Sequence, residues 1–185
     1  MGRYHNAKVW SSDWCRLPVS GSAFPKVNLS RSVFPLKYIP LRLSKKDKKK
    51  QKKYLRKSRK LYKKGKYFER PKVKTFKSRK SNHLKRAEKI YNVKRIQPND
   101  ELARKTKCKR SALEKIVSKG QGAYYSSGSR PNQTGESWGL ARLASSISGG
   151  NASIYDFHVL KEGCKPSSKA LKLARKTCKK QKRKC

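Results

Sequence analysis

The sequence GQGAYYSSGSRPNQT at residues 120–134, followed by GESWGLARLASSI at residues 135–147, is the most informative stretch of the chain. Its first half is rich in Gly, Ser and Pro, which is typical of a loop. In its second half apolar residues recur at helical spacing, which predicts a helix from Glu136 to Ile147. A loop that leads into a helix is therefore the predicted centre of the fold.

The loop has the composition of an anion-binding site. Its hydroxyl and backbone N–H groups can donate to a phosphate, Arg130 can add a bidentate contact, and the N-terminus of the next helix adds a favourable dipole. The alternative is a structural loop whose serines cap neighbouring helices and whose arginines donate to carbonyls. The candidate binding residues here are Ser126, Ser127, Ser129, Arg130, Asn132 and Arg142.

Three helices are predicted upstream of the loop. The first begins near Ser81 and ends at Asn92, and the second has Asn99 as its N-cap. The third opens with a capping box at Ser111 and stops at Gly120. The last two resemble a helix-turn-helix unit in outline, and ordinary helical packing is the alternative.

Downstream of the loop, the apolar and aromatic residues from Ser153 to Leu160 predict a strand. A further helix begins near Ser167 and leads into a basic C-terminal run. The predicted fold is mainly α, with a small α(+β) core of short helices and one or two strands at residues 81–164. An extended Pro- and aromatic-rich arm (1–44), a basic helix with an aromatic-basic linker (45–80) and a basic C-terminal helix and tail (165–185) flank this core.

Positive charge dominates the composition. The 185 residues include 52 Lys and Arg against 10 Asp and Glu, a formal net charge of +42. Such self-repulsion opposes a compact state unless a partner supplies negative charge, so we expect DNA or an anionic membrane surface as partner. The densest run, residues 45–66, predicts a basic helix whose candidate binding residues are Lys48, Lys49, Lys52, Lys53, Arg56, Arg59 and Lys60. Aromatic residues interleaved with the basic ones can stack on unpaired bases, namely Tyr54, Tyr62, Tyr67 and Phe76.

The sequence carries no strong sign of catalysis. The segment at Gly120 lacks the third glycine of a dinucleotide-binding loop, and no phosphate-binding P-loop motif is present. A triad of Ser127, His158 and Asp156 is conceivable, but the spacing of the last two is common in exposed polar alternation. We therefore expect no enzymatic activity, no cofactor, no metal and no small-molecule substrate.

The five cysteines are scattered, odd in number and without zinc-ligand spacing. Free thiols are the expected state, with a pair between Cys164 and Cys178 as the alternative. No apolar run is long enough to span a bilayer, and no signal-peptide core follows the first residues. We therefore expect synthesis in the cytosol.

The motifs KGQGAYYSSGSRPNQT, SWGLARLAS, SGGNA and LKEGC, all between Lys119 and Cys164, resemble an uncharacterised domain family of large eukaryotic DNA viruses of the chlorovirus type, with a related version in tailed phages. The resemblance covers about Asn99 to Ala174 and implies a viral origin without any assigned catalytic residue. The motif residues would then form a contact surface or a structural signature.

Together with the charge, this resemblance implies a non-enzymatic virion structural protein, a minor capsid or inner-shell component. Its partners would be other capsid proteins and an internal membrane or the genome, and it would be made in the host cytoplasm and lie inside the capsid shell. The alternative is a viral DNA-binding protein that condenses the genome.

Overall fold

The computed structural model describes residues 34–183. These residues are mainly helical, as predicted. The helices are α1 (Lys45–Tyr62), α2 (Asn82–Tyr91), α3 (Asp100–Thr106), α4 (Arg110–Ser126), α5 (Gly135–Ile147), α6 (Ala152–Tyr155), α7 (Phe157–Gly163) and α8 (Lys169–Lys180).

Helices α4 and α5 form the central pair of the fold. Helices α2, α6 and α8 pack on α5, whereas α1, α3 and α7 pack on α4. The two central helices touch backbone to backbone, because a Cβ on Gly120 would lie 2.6 Å from the Cα of Gly139, and one on Gly139 would lie 2.8 Å from the carbonyl oxygen of Val117. Neither glycine can be replaced without moving one helix.

This contact overturns the predicted end of α4. The helix was expected to stop at Gly120, but it continues to Ser126 because that glycine serves close helix packing rather than termination. Its start also differs, since Lys109 is the N-cap and has no side-chain cap hydrogen bond, so the predicted capping box at Ser111 does not form. Because α1, α3, α5 and α7 surround α4, it is the central helix of the body rather than a projecting recognition helix.

Several predicted elements are confirmed. Helix α2 ends at Asn92, which adopts the left-handed conformation with φ 49°. Helix α3 is capped by Asn99, whose side-chain oxygen accepts from the amide of Leu102 at 2.9 Å. Helices α5 and α8 form where the apolar periodicity places them. Their apolar faces meet in one core that includes the fully buried Leu102, Leu113, Ile116, Leu143, Ile147, Leu160 and Leu171.

The strand predicted from Ser153 to Leu160 is wrong, because α6 and α7 occupy this range. A short apolar run does not by itself distinguish a strand from a buried helix. Here Val159 and Leu160 are both buried while His158 and Lys161 are exposed, which is a helical rather than an alternating pattern. The β-structure of the described residues is one isolated antiparallel bridge between Cys108 and Cys164.

A disulfide joins the two cysteines of this bridge, so the expectation of free thiols is wrong for Cys108 and Cys164, and it is also wrong for Cys178, which is disulfide-bonded. The pair is flanked by two backbone hydrogen bonds, from Lys109 N to Gly163 O at 2.7 Å and from Lys165 N to Lys107 O at 2.9 Å. The bond therefore clamps the loop between α3 and α4 to the end of α7. It also excludes the alternative pairing of Cys164 with Cys178.

Part of the predicted N-terminal arm, residues 1–33, lies outside the described residues, as do residues 184–185 with Cys185. The described end of the arm packs on α1, since Phe34 and Ile39 are buried with Leu55. Within residues 34–183, no helix combines the length and apolar character required to cross a membrane.

Candidate functional site

Helix α1 is the most basic element of the described residues, and its two ends are matched to the helix dipole. Ser44 caps its N-terminus by accepting from the amide of Asp47 at 3.1 Å. Asp47 lies in the first turn and Arg59 and Lys60 lie in the last, so an acid faces the positive end and bases face the negative end. The helix is therefore stabilised locally despite its repelling lysines.

The face of α1 that packs on the body is mostly polar. The buried residues are Asp47, Gln51, Leu55 and Ser58, which recur at helical spacing and form one stripe. Among the apolar residues of the helix, Leu55 is fully buried, whereas Tyr54, Leu61 and Tyr62 are half-buried. The helix is thus held by hydrogen bonds around a single leucine.

The buried stripe of α1 packs against the end of α4 and the loop that follows it. Ser58 Oγ donates to the carbonyl of Tyr125 at 3.1 Å, Arg59 Nη2 donates to that of Ser127 at 2.7 Å, and Gln51 Nε2 lies 3.5 Å from that of Ser129. These carbonyls lie at the C-terminal end of α4, which lacks intrahelical donors and carries the negative end of the dipole. Side chains of α1 therefore satisfy the end of α4.

A buried arginine from the linker completes this junction. Arg70 Nη1 donates to Ser58 Oγ and to the carbonyl of Tyr124, both at 3.0 Å, and its Nη2 donates to Ser129 Oγ at 2.7 Å. Its guanidinium also lies 3.6 Å from the ring centre of Tyr124. Burial lowers the pKa of Arg70, and interaction with Tyr124 and Glu69 opposes that shift. One cation therefore joins α1, α4 and the loop.

Two further polar contacts hold the linker itself. The Asn132 side chain forms two hydrogen bonds with the backbone of Val73. It accepts from the Val73 N–H at 2.7 Å and donates to the Val73 carbonyl at 3.0 Å. Asp47 accepts from Thr75 N at 2.9 Å and from Thr75 Oγ1 at 2.8 Å, and these hydrogen bonds lower the pKa of the Asp47 carboxyl. These contacts hold the linker to the loop at Val73 and to α1 at Thr75.

The candidate anion-binding loop thus presents acceptors to cations of the same chain. Ser127 and Ser129 accept from Arg59 and Arg70, and Asn132 binds the linker. Ser126 lies beside Ser127, with their hydroxyls 3.4 Å apart, and Arg130 is exposed. At Gly128 the backbone has φ +110°, and a Cβ there would lie 2.7 Å from a methyl of Leu55, so the turn requires glycine. These contacts give the loop a structural role in the fold, and the binding of an anion by it stays a prediction.

Arg142 lies elsewhere, in a buried ion-pair cluster. It binds the carboxylate of Asp156 in a bidentate manner at 2.9 and 2.7 Å, while Ser146 Oγ donates to the same group at 2.7 Å and Lys119 Nζ lies 3.1 Å from it. Burial alone would raise the pKa of Asp156, but the contacts with Arg142, Ser146 and Lys119 outweigh it and lower that pKa. The carboxylate of Asp156, which would have been part of the triad, is therefore bound by Arg142 and Lys119.

His158, the proposed base of that triad, lies with Nε2 3.4 Å from Lys119 Nζ. Burial and the nearby Lys119 lower its pKa, so the ring is largely neutral near pH 7. Within residues 34–183, no cluster of His, Cys, Asp and Glu is arranged to hold a metal ion.

The outward face of α1 displays its positive charge to solvent. Nine of its eleven basic residues are exposed, and Lys48 and Arg59 are half-buried. Lys57 lies 4.5 Å from the ring centre of Phe68, and Arg59 lies 4.3 Å from that of Phe34. In the described range, no lysine of α1 forms an ion pair with a carboxylate. The candidates Lys49, Lys52, Lys53, Arg56 and Lys60 all lie on this exposed surface.

An aromatic cluster lies at the C-terminal end of α1. Tyr67 is 64% exposed, and its ring centre lies 5.0 Å from that of Tyr125 and 6.0 Å from that of Tyr62. The sequence indicated Tyr62 and Tyr67 as stacking residues but gave no sign of Tyr125, which comes from α4. Phe76, also indicated, is buried under Arg42, and Tyr54 packs against Phe68.

A family model described as a family of unknown function (DUF5824) matches residues 35–169. The match starts before α1 and ends at the first residue of α8, so it includes α1 and the linker, which lie outside the range of the resemblance stated from the sequence. No curated protein and no solved structure matches the chain.

Proposed function

Because the chain belongs to the family of unknown function DUF5824, whose description assigns no activity, we propose a function from the residues themselves. The protein is a non-enzymatic structural protein that binds an anionic polymer or surface through the outward face of α1. The preformed cation array on α1 is the observation that supports this proposal.

Preformation matters because an isolated polylysine-like segment would lose much conformational entropy on binding. Here α1 is already fixed by Gln51, Ser58 and Arg70, so its lysines are presented along one rod. An 18-residue helix is about 27 Å long, a length over which a duplex carries many phosphates. Binding along this rod releases counterions and is therefore strongly salt-dependent.

We propose a non-enzymatic role because the best candidate for a catalytic carboxylate is bound within the fold. Asp156 is neutralised by Arg142 and Lys119, and this ion-pair cluster holds helices together. A carboxylate bound in this way is a poor partner for a catalytic histidine, so we assign the protein no reaction.

The setting we propose is the inner side of the capsid of a large DNA virus, where the protein bridges other capsid proteins and an internal membrane or the genome. Its support is the resemblance of the segment from Lys119 to Cys164. Fractionation of purified particles tests this setting: a shell component stays with the capsid proteins after high-salt disruption. Leaving the shell with the DNA at low salt, and dissociating from the DNA as salt rises, would contradict it and favour a genome-condensing protein.

The binding face is tested by two variants with the same change in charge. One replaces Lys49, Lys52, Lys53 and Arg56 of α1 by Gln, and the other replaces four exposed lysines of α8, namely Lys169, Lys172, Lys176 and Lys179. Binding to heparin is measured as log Kd against log salt. The α1 variant should lose up to about 0.9 of slope per neutralised contact, if heparin follows the duplex rule, while the α8 variant should lose little.

Equal losses in the two variants would mean that net charge alone drives binding, and the α1 site would be rejected. Circular dichroism of both variants checks that helix content is retained. The replaced side chains are exposed, so neither variant disturbs the buried contacts of its helix.

A further inference from the structure

We propose that the cationic face of α1 continues into a stacking site for unpaired nucleobases centred on Tyr67, so that the bound polyanion is a single-stranded nucleic acid. This inference rests on the proposed function and specifies its partner. It stands on the aromatic cluster of Tyr62, Tyr67 and Tyr125, in which Tyr67 is the exposed ring.

The cluster holds Tyr67 in a fixed orientation. The rings of Tyr62 and Tyr125 are nearly parallel, with an interplanar angle of 10° and centres 6.4 Å apart. Tyr67 meets both of them edge to face, at 62° to Tyr62 and 64° to Tyr125. Tyr67 therefore contacts both rings and, being 64% exposed, keeps most of its surface open to solvent.

The supporting ring is fixed in turn by hydrogen bonding. The Tyr125 hydroxyl donates to Glu69 Oε1, and Tyr124 Oη lies 3.2 Å from Oε2 of the same carboxylate. Burial and the contact with Glu69 raise the pKa of Tyr125, so it keeps its proton as a donor. A platform held in this way loses little further freedom when a base stacks on it.

The charges around the cluster suit a phosphate backbone. Lys63, Lys64 and Lys66 are exposed next to Tyr67 in the chain, directly after the last turn of α1. Glu69 is the one acid in this stretch, and its carboxylate is occupied by the tyrosine hydroxyls and by the amide of Gly135 at 3.4 Å. A strand lying along α1 would therefore meet cations up to the point where its bases reach Tyr67.

An open aromatic ring within a basic track distinguishes the possible partners. Base stacking on aromatic side chains is independent of sequence and adds to the phosphate contacts. A sulfated polysaccharide offers charge without aromatic faces, and a duplex hides the faces of its bases. Single-stranded nucleic acid is the polyanion that uses both features of this surface.

The experiment measures the affinity of the full-length protein for two single strands of equal length and charge, an oligo(dT) and its abasic counterpart. Wild type should prefer oligo(dT), and Tyr67→Ala should weaken oligo(dT) binding by about tenfold, the size expected when one stacked base is lost. The abasic strand and heparin should bind Tyr67→Ala as they bind wild type. Tyr67→Phe keeps the ring and should behave as wild type.

Tyr155→Ala is the matched control, since Tyr155 is 47% exposed on α6 and lies outside the cluster. It should leave oligo(dT) affinity unchanged. Anionic lipid vesicles serve as a further probe, and Tyr67→Ala should bind them as wild type does.

Three outcomes overturn the inference. If Tyr67→Ala binds oligo(dT) as tightly as wild type while heparin binding persists, the stacking site is wrong and the proposed function of α1 stands. An equal loss toward vesicles and oligo(dT) would assign Tyr67 to a membrane interface instead. If wild type binds neither heparin nor any strand, the proposed function itself fails.

Discussion

Helices α1 and α8 are both basic and both lie on the outside of the fold, but different interactions hold them to it. Helix α8 buries Ala170, Leu171, Ala174 and Cys178, an apolar stripe that enters the main core. The stripe of α1 is largely polar, and its companions Phe34 and Ile39 form a separate small cluster around Leu55. One helix is held by burial of apolar surface and the other by satisfied hydrogen bonds.

This contrast shows how a very basic helix can be held in one orientation while its lysines stay exposed for binding. An apolar stripe needs only an apolar neighbour, whereas the stripe of α1 needs specific carbonyls at the end of α4 and one arginine from the linker. A missing hydrogen-bond partner leaves a buried polar group unsatisfied, so the contact has one geometry. The stripe thus sets the orientation of the exposed lysines.

The largest effect is expected in the apolar contact. Leu171→Ala should lower the free energy of unfolding by about 2–5 kcal/mol, because it opens a cavity in the main core. Denaturant unfolding measures the change, and Leu173→Ala, at a half-buried position of the same helix, should cost less. Hydrogen exchange should speed up across the core. Loss of protection in α8 alone would show that α8 is a separate appendage.

The next effect is expected in the polar contact of α1, where Arg70→Met should weaken the attachment of this helix. It removes the donors to Ser58, Ser129 and the Tyr124 carbonyl while keeping most of the side-chain volume, at a cost of about 1–3 kcal/mol. Hydrogen exchange should accelerate in α1 and change little in α8. Arg130→Met, at an exposed arginine of the same loop, is the control and should leave both helices protected. Equal deprotection of α1 and α8 would contradict separate attachment.

A smaller loss of stability is expected from a substitution at Gly128, where the loop turns beside α1. Gly128→Ala meets a backbone with φ +110° and a methyl of Leu55 at 2.7 Å, so it should cost about 2 kcal/mol. Gly65→Ala is the matched comparison because its φ is +70° and no atom lies within 4 Å of the added methyl. It should cost about 1 kcal/mol. Similar thermal shifts in the two variants would indicate that Leu55 yields and does not fix the turn.

The same difference between the helices explains which parts of the fold were predictable. Helices α2, α5 and α8 follow from apolar periodicity, and Asn92 and Asn99 mark the end of α2 and the start of α3. The attachment of α1 does not follow, since polar residues such as Gln51 and Ser58 look like solvent-facing positions. Their partners lie in a loop far along the chain, and no local pattern records such a pairing.

The candidate site was predicted in a similar, partial way. The cation density of α1 is evident from composition, and so are Tyr62 and Tyr67. The role of the loop was not, because a Ser/Gly-rich segment with an arginine has the same composition whether it donates to an anion or accepts from a cation. The structure shows Arg70 donating to Ser129, and the sequence neighbours of Arg70 give no sign that it is buried.

The smallest effect is a dependence of stability on pH, and it arises in the polar attachment of α1 and not in the apolar attachment of α8. The pKa of Asp47 is lowered by its hydrogen bonds to Thr75, so the folded state favours the ionised form. A lowered pKa contributes stability above the unfolded value of about 3.9, and this contribution is lost as the pH falls through the folded value. Asp47→Asn keeps an acceptor for Thr75 but cannot titrate. The variant should therefore be slightly less stable than wild type at pH 7, and the gap should close as the pH falls below about 4.

Thermal unfolding followed by circular dichroism across this pH range measures the gap. Glu101→Gln, at an exposed carboxyl of α3, is the control and should run parallel to wild type. Asp156 also has a lowered pKa, but it lies in the body and is common to all three proteins, so its acid lability cancels in the comparison. A gap between Asp47→Asn and wild type that stays constant with pH would mean that the Asp47 charge does not hold the linker to α1. The docking of α1 would then depend on Arg70 and the carbonyls of α4 alone.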